Sequence, residues 1–168
     1  AAPLAGATLV ILPRYAPEDK PSGGHAALML WHNPYFDAEA GAQPITRANP
    51  DMVRVASVQL NARTLKEPEE FYETVDYFTN IASEYGADFV VFPEHFTLQL
   101  LSCEAEELPP QRAIDRATEH TAEFVARLQK MALSRAINII GGSHATRMED
   151  GDIHNVCHVF LRDGTVHR

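Results

Sequence analysis

The stretch DFVVFPEHF, residues 88–96, limits the possible folds more than any other part of this chain. Phe89 to Phe92 form a continuous run of aromatic and β-branched residues, the pattern of a strand buried on both faces. It predicts a central strand of an α/β sheet. Pro93 has no N–H to offer a ladder and ends the strand. The next side chain is Glu94, a carboxylate at the C-terminal end of a core strand, where open α/β sheets bind ligands. From position alone, a loop carboxylate that caps a turn or pairs with an arginine is the commoner explanation.

The surrounding texture from Met52 onward is regular. VRVASVQL (53–60) reads as a short strand. Apolar Phe71, Val75, Phe78, Ala82 and Tyr85 then recur in steps of four, three, four and three, one stripe along a helix. Pro68 suits the first turn of that helix and Gly86 the position just past its end. A second helix is predicted over about 118–136, with Phe124, Val125, Leu128, Met131 and Ala132 inward, followed by a buried strand INIIGG (137–142). Asp150-Gly151 and Asp163-Gly164 are turn signals for antiparallel hairpins. The order β-α-β-α-β, then antiparallel strands, predicts a mixed sheet with helices packed on it. Only Thr165 to Arg168 follow the last turn. A strand begun and stopped within four residues, and a first residue that is Ala rather than Met, lead us to expect a segment of a longer protein.

Residues 1–50 differ in composition and hold seven of the eleven prolines. ATLVIL (7–12) and HAALMLW (25–31) read as strands separated by turn chemistry, and residues 33–50 as an irregular linker. Apolar content of 45% and charged content of 22% are those of a folded globular domain. A net charge of −9 without any basic run argues against a nucleic-acid or anionic-membrane partner. No apolar stretch approaches a membrane span, and the N-terminus has neither a basic n-region nor an apolar h-region. Two cysteines, Cys103 and Cys157, make neither a disulfide framework nor a zinc spacing, so a cytoplasmic location is expected.

Several residues bear on chemistry. His144, His154 and His158 could meet across the hairpin at Asp150-Gly151 and offer zinc a trio of ligands. Three ordinary strand histidines are the simpler account, since no fourth ligand accompanies them. Cys103 lacks a glycine elbow and a histidine placed to activate it. Cys157 alternates within a strand and is expected in the core. Gly141-Gly142 allows the backbone to approach a ligand, and a bulge or tight bend explains the pair as well.

Taken in order, VRVASVQL, GADFVVFPEHFT, INIIGGSH and DGDIHNVCHVFLRDGTVHR resemble the opening half of a nitrilase-superfamily carbon–nitrogen hydrolase. FPEHFTLQLLS is most similar to the branch whose hydrolase domain follows an N-acetyltransferase domain. GATLVILPRYAPEDKPSGGHAALMLWHNPYFD resembles the final strands of such an acetyltransferase. The division this implies is terminal strands of an acetyltransferase-like domain over 1–37, a linker over 38–51, and a truncated hydrolase domain over 52–168. The implied fold is α/β: the first half of an αββα nitrilase-type sandwich with a mixed sheet, preceded by a short β segment.

The resemblance also implies a mechanism. A Glu, a Lys and a Cys hydrolyse a small amide or nitrile through a covalent acyl intermediate, with no cofactor and no metal. Glu94 stands at the general base, on a stiff proline-led mount and in surroundings of low dielectric. The family's Lys and Cys fall beyond Arg168. Lys66, Lys130, Cys103 and Cys157 do not occupy their positions, so the chain alone is expected to be inactive. The partners implied are a small-molecule substrate and, for the complete protein, a second copy in a homodimer. Two other classes remain: a non-catalytic module pairing through its sheet edge, and a histidine-based metal hydrolase.

Overall fold

In a computed structural model of the chain, the described residues are 9–11, 27–31, 53–60, 62–104 and 108–168. The linker expected over 38–51 lies outside them. The strands are β1 (Leu9–Ile11), β2 (Ala27–Trp31), β3 (Val55–Gln59), β4 (Phe89–Val91), β5 (Asn138–Arg147), β6 (Ile153–Phe160) and β7 (Val166–His167). The helices are α1 (Pro68–Glu84), α2 (Pro110–Glu119) and α3 (Thr121–Arg135), and a 3-10 segment runs from Phe96 to Cys103. Among the described residues the seven strands form one sheet in sequence order. β3, β4 and β5 are parallel neighbours, and every other pairing is antiparallel. Parallel neighbours require crossovers, supplied by α1 and by the 3-10, α2 and α3 stretch. The result is the expected mixed α/β fold, a sheet layer and a helix layer of the kind that forms half of an αββα sandwich. None of the described helices is long and apolar enough to cross a membrane.

The helix layer covers one face. Ala56, Val90, Ile139 and Phe160 lie in register across the sheet and are fully buried there. Phe71, Val75 and Ala82 of α1 and Phe124, Leu128 and Ala132 of α3 complete this core. The opposite face is less covered: Phe89 and Val91 are half-buried and Ser57 and Gln59 exposed. The run at 89–92 is therefore enclosed by helices on one side only, among the described residues.

Helix α1 has Pro68 in its first turn and ends at Tyr85. Gly86 adopts φ 69°, and its N–H reaches Ser83 O while that of Ala87 reaches Ala82 O. That is a Schellman ending, which needs a left-handed residue where Gly86 stands. Tyr85 lies beyond the last helical turn and is 42% exposed, so the stripe stops at Ala82. The helix expected over about 118–136 is α3, and a further helix that the sequence reading did not expect, α2, precedes it and meets it at His120. Helix α2 has a short apolar side, Ala113, Ile114 and Ala117, of which Ala117 alone is fully buried.

The strand β4 ends as Pro93 requires. Phe92 N–H still bonds Ile140 O at 2.9 Å, and the next ladder-like contact is His95 N–H to Ser143 O at 3.1 Å. Between those two contacts β5 changes register against β6, at Gly141-Gly142. Gly142 has φ 60°, and a Cβ there would lie 2.1 Å from Pro93 O. The glycine pair thus serves the bulge, and the group that Gly142 lets approach is the Pro93 carbonyl. Gly142→Ala combines a left-handed backbone with a backbone overlap. It should lower unfolding free energy by at least about 2 kcal/mol in urea titration; a parent-like midpoint would show that the turn yields easily.

Candidate active site

Glu94 sits between two aromatic anchors. Phe92 before it and Phe96 after it are both buried, and their rings stack at 5.1 Å with a 16° interplanar angle. Phe96 also meets Phe71 at 5.2 Å and Phe124 at 6.0 Å. Each such pair contributes roughly 0.5–1.5 kcal/mol beyond its buried area. With both anchors held in the helix layer, Pro93-Glu94-His95 is turned outward. His95 is in the left-handed region (φ 54°, ψ 17°), uncommon for a residue with a Cβ and frequent where a turn is over-determined by its surroundings.

The Glu94 side chain is 69% exposed. Its Oε1 accepts a hydrogen bond from Asn155 Nδ2 at 3.1 Å and lies 3.5 Å from His95 Nε2. The low-dielectric surroundings expected for Glu94 are therefore not supplied by the described residues. Asn155 belongs to β6, on the sheet face turned away from the helices. Residue-by-residue reading missed it because it lies 61 positions from Glu94 and meets it only through the order β4-β5-β6. The strand alternation of HNVCHVF placed Asn155 on a face with Cys157, but nothing in that pattern points to Glu94.

Beneath the turn lies a buried polar node. His144 is 1% exposed; its Nδ1 meets Thr97 Oγ1 at 2.8 Å and its Nε2 meets Thr121 Oγ1 at 2.9 Å. Thr121 Oγ1 also donates to Ala145 O at 3.5 Å. This assigns the Nε2–H tautomer, with Nε2 donating to Thr121 and Nδ1 accepting from Thr97. His144 thus ties the segment following Glu94 to the start of α3 and stays neutral. Burial first, then the neighbouring His158 and His120, bring its pKa down to about 4. His158 and His120 are also lowered, chiefly by burial.

The histidine trio does not assemble. His144 faces Val156 rather than His158 in register, its ring centroid 6.5 Å from that of His158, and His154 is exposed opposite Thr146. Among the described residues no three His, Cys, Asp or Glu side chains are grouped to hold a metal. Cys103 ends the 3-10 segment with Sγ 3.9 Å from Leu65 O, and burial, followed by Glu70, Glu104 and Glu67, pushes its thiol up. It is a poor nucleophile. Cys157 is exposed rather than in the core, because it pairs with Ser143 on the helix-free face. Lys66 and Lys130 are exposed, Lys130 on the helix layer across the sheet from Asn155.

A carboxylate held at the C-terminal end of a core parallel strand, beside a neutral amide donor, defines an α/β protein with an exposed acid at the edge of the sheet where such folds commonly bind ligands. Residues 54–168 match the carbon-nitrogen hydrolase family, and the chain belongs to that family. It is 38% identical over 164 residues, 97% of its own length, to Probable hydrolase YhcX of Bacillus subtilis (strain 168). The match covers 31% of that relative, so the chain spans about a third of its length.

The buried node has a pH signature. An unfolded His144 takes up a proton near pH 6.5, whereas the folded ring resists until about pH 4. Its contribution is complete above pH 6.5 and declines as pH falls towards 4, by about 3 kcal/mol in total. Urea midpoints measured from pH 7.5 to 4 should fall across that window, less steeply in His144→Asn. An equal slope in both proteins would remove His144 as the cause.

Proposed function

We propose that this chain is a segment of a hydrolase that cleaves a small amide or nitrile by Glu-Lys-Cys covalent catalysis, with Glu94 as general base. The observation that carries this is the position of Glu94, mounted outward at the end of β4 by Pro93 and the stacked Phe92 and Phe96. Family membership supports it. On this reading Glu94 takes the proton of a downstream cysteine thiol, and the thiolate forms a C–S bond with the amide carbon. The developing oxyanion is met by a downstream lysine. With an amide the C–N bond breaks as Glu94 returns the proton to the departing nitrogen; with a nitrile the thiol adds across the C≡N bond, the thioimidate takes up one water, and ammonia then leaves to give the same thioester. Glu94 then activates a water that cleaves the thioester, restoring the thiol and releasing the acid.

The same reading assigns residues 1–37 to the last strands of an acetyltransferase-like domain and 38–51 to a linker. It takes the complete protein as a cytoplasmic homodimer that needs no cofactor. A relative about three times as long as this chain is in keeping with further domains.

The test uses the complete protein and ammonia release from short primary amides and nitriles. Glu94→Gln keeps the shape and removes the base, so kcat should drop by about 10²–10⁴-fold. The mass-verified 168-residue segment should release no ammonia. Activity of Glu94→Gln within about threefold of the parent would reject the role of Glu94. Sustained turnover by the segment would reject the assignment of Lys and Cys downstream.

A further inference from the structure

We propose that Asn155 is a positioning residue for the base: its amide holds Oε1 of Glu94 and leaves Oε2 as the oxygen that exchanges protons with the nucleophile. The proposal rests on the reading of Glu94 as general base. Its geometry is specific to one atom. Asn155 Nδ2 donates to Oε1 at 3.1 Å, His95 Nε2 lies 3.5 Å from that same oxygen, and among the described residues nothing bonds to Oε2. An ionised carboxylate accepts only, so the nitrogen end of the Asn155 amide faces it.

The backbone fixes the pair as well. His95 N–H bonds Ser143 O at 3.1 Å, and Ser143 pairs with Cys157, two residues along β6 from Asn155. The donor that holds the carboxylate and the carbonyl that holds its turn therefore belong to one β5–β6 hairpin. The terminal torsion of a glutamate is broad and would otherwise exchange its two oxygens. Loading one oxygen restricts that torsion and keeps the other aimed, the kind of orientation on which proton transfer depends. Asparagine suits the task because its donor is neutral. A lysine or arginine in its place would hold the carboxylate in an ion pair, whereas an amide steadies it and leaves it free to take and return a proton.

The test compares Asn155→Ala, Asn155→Asp and Glu94→Gln in the complete protein. Ammonia release from short primary amides and nitriles supplies kcat and KM. The alkylation rate of the downstream thiol by iodoacetamide supplies a reading that needs no substrate. Asn155→Ala should lower kcat roughly 10- to 100-fold with KM within about threefold. Asn155→Asp is nearly isosteric but replaces the donor with a second carboxylate, and should be at least as damaging. A packing role predicts the reverse order, with Asp tolerated and Ala harmful. The alkylation rates should fall in the same order as kcat. An Asn155→Asp protein with the parent's kcat and alkylation rate would overturn the proposal while Glu94→Gln remained inactive. An active Glu94→Gln would instead remove the base on which it rests.

Discussion

The contact between Gly142 and the Pro93 carbonyl is the constraint from which the site follows. β4 and β5 are parallel neighbours up to Val91 and Ile140, and beyond that pair the proline can no longer donate. For the chain to continue beside β5 without an N–H, β5 must move aside, which it does through a left-handed glycine and a register shift. Any side chain at 142 would occupy the space of the Pro93 carbonyl. Once that approach is made, His95 N–H recovers a partner in Ser143 O, and the intervening Glu94 has no ladder position left to fill. Its outward projection thus follows from backbone pairing on either side of it, Phe92 N–H with Ile140 O and His95 N–H with Ser143 O, around a proline that has no N–H to offer.

The two faces of the sheet divide the labour. On the helix side, Phe92, Phe96, Phe124 and Phe160 form a ring cluster continued by His144 and His158. The hydroxyls of Thr97 and Thr121 satisfy both nitrogens of His144, so the polar group adds fixed connections without burying a charge. On the other side, Glu94, Asn155 and Cys157 are exposed, and Phe89, Val91, Ile140 and Val159 are half-buried. A stiff apolar base below and a polar, open surface above is how a sheet presents chemistry without sacrificing its core. In the longer hydrolase we propose, a second sheet would cover this open face and remove water from around the carboxylate, strengthening each of its polar contacts.

Membership of the carbon-nitrogen hydrolase family accords with the mixed α/β sheet. Histidines 144, 154 and 158 show how composition can mislead. They share one face of β5 and β6 by alternation, yet a register offset and two threonines turn His144 into a structural bridge, and His154 stays at the exposed end of the hairpin. Cys157 misleads in the opposite way. A small apolar residue in an alternating strand reads as core, but the face it occupies carries no helix among the described residues.

What the sequence determined by itself was local: the run that makes β4 and the proline that ends it, the α1 stripe with Gly86 beyond it, the turns at Asp150-Gly151 and Asp163-Gly164, and Glu94 as the residue to watch. Each depends on interactions within a few positions, so each leaves a short-range pattern. Helix α2 left only a faint one, because its apolar side is no more than Ala113, Ile114 and Ala117 among charged residues. Only the tertiary structure decided that Asn155 meets Glu94, that Gly142 makes room for Pro93, and that His144 joins Thr97 to Thr121. Those partners lie 61, 49 and 23 to 47 positions apart and are brought together by strand order and register, which arise from the collapse of the whole sheet rather than from any window of the chain.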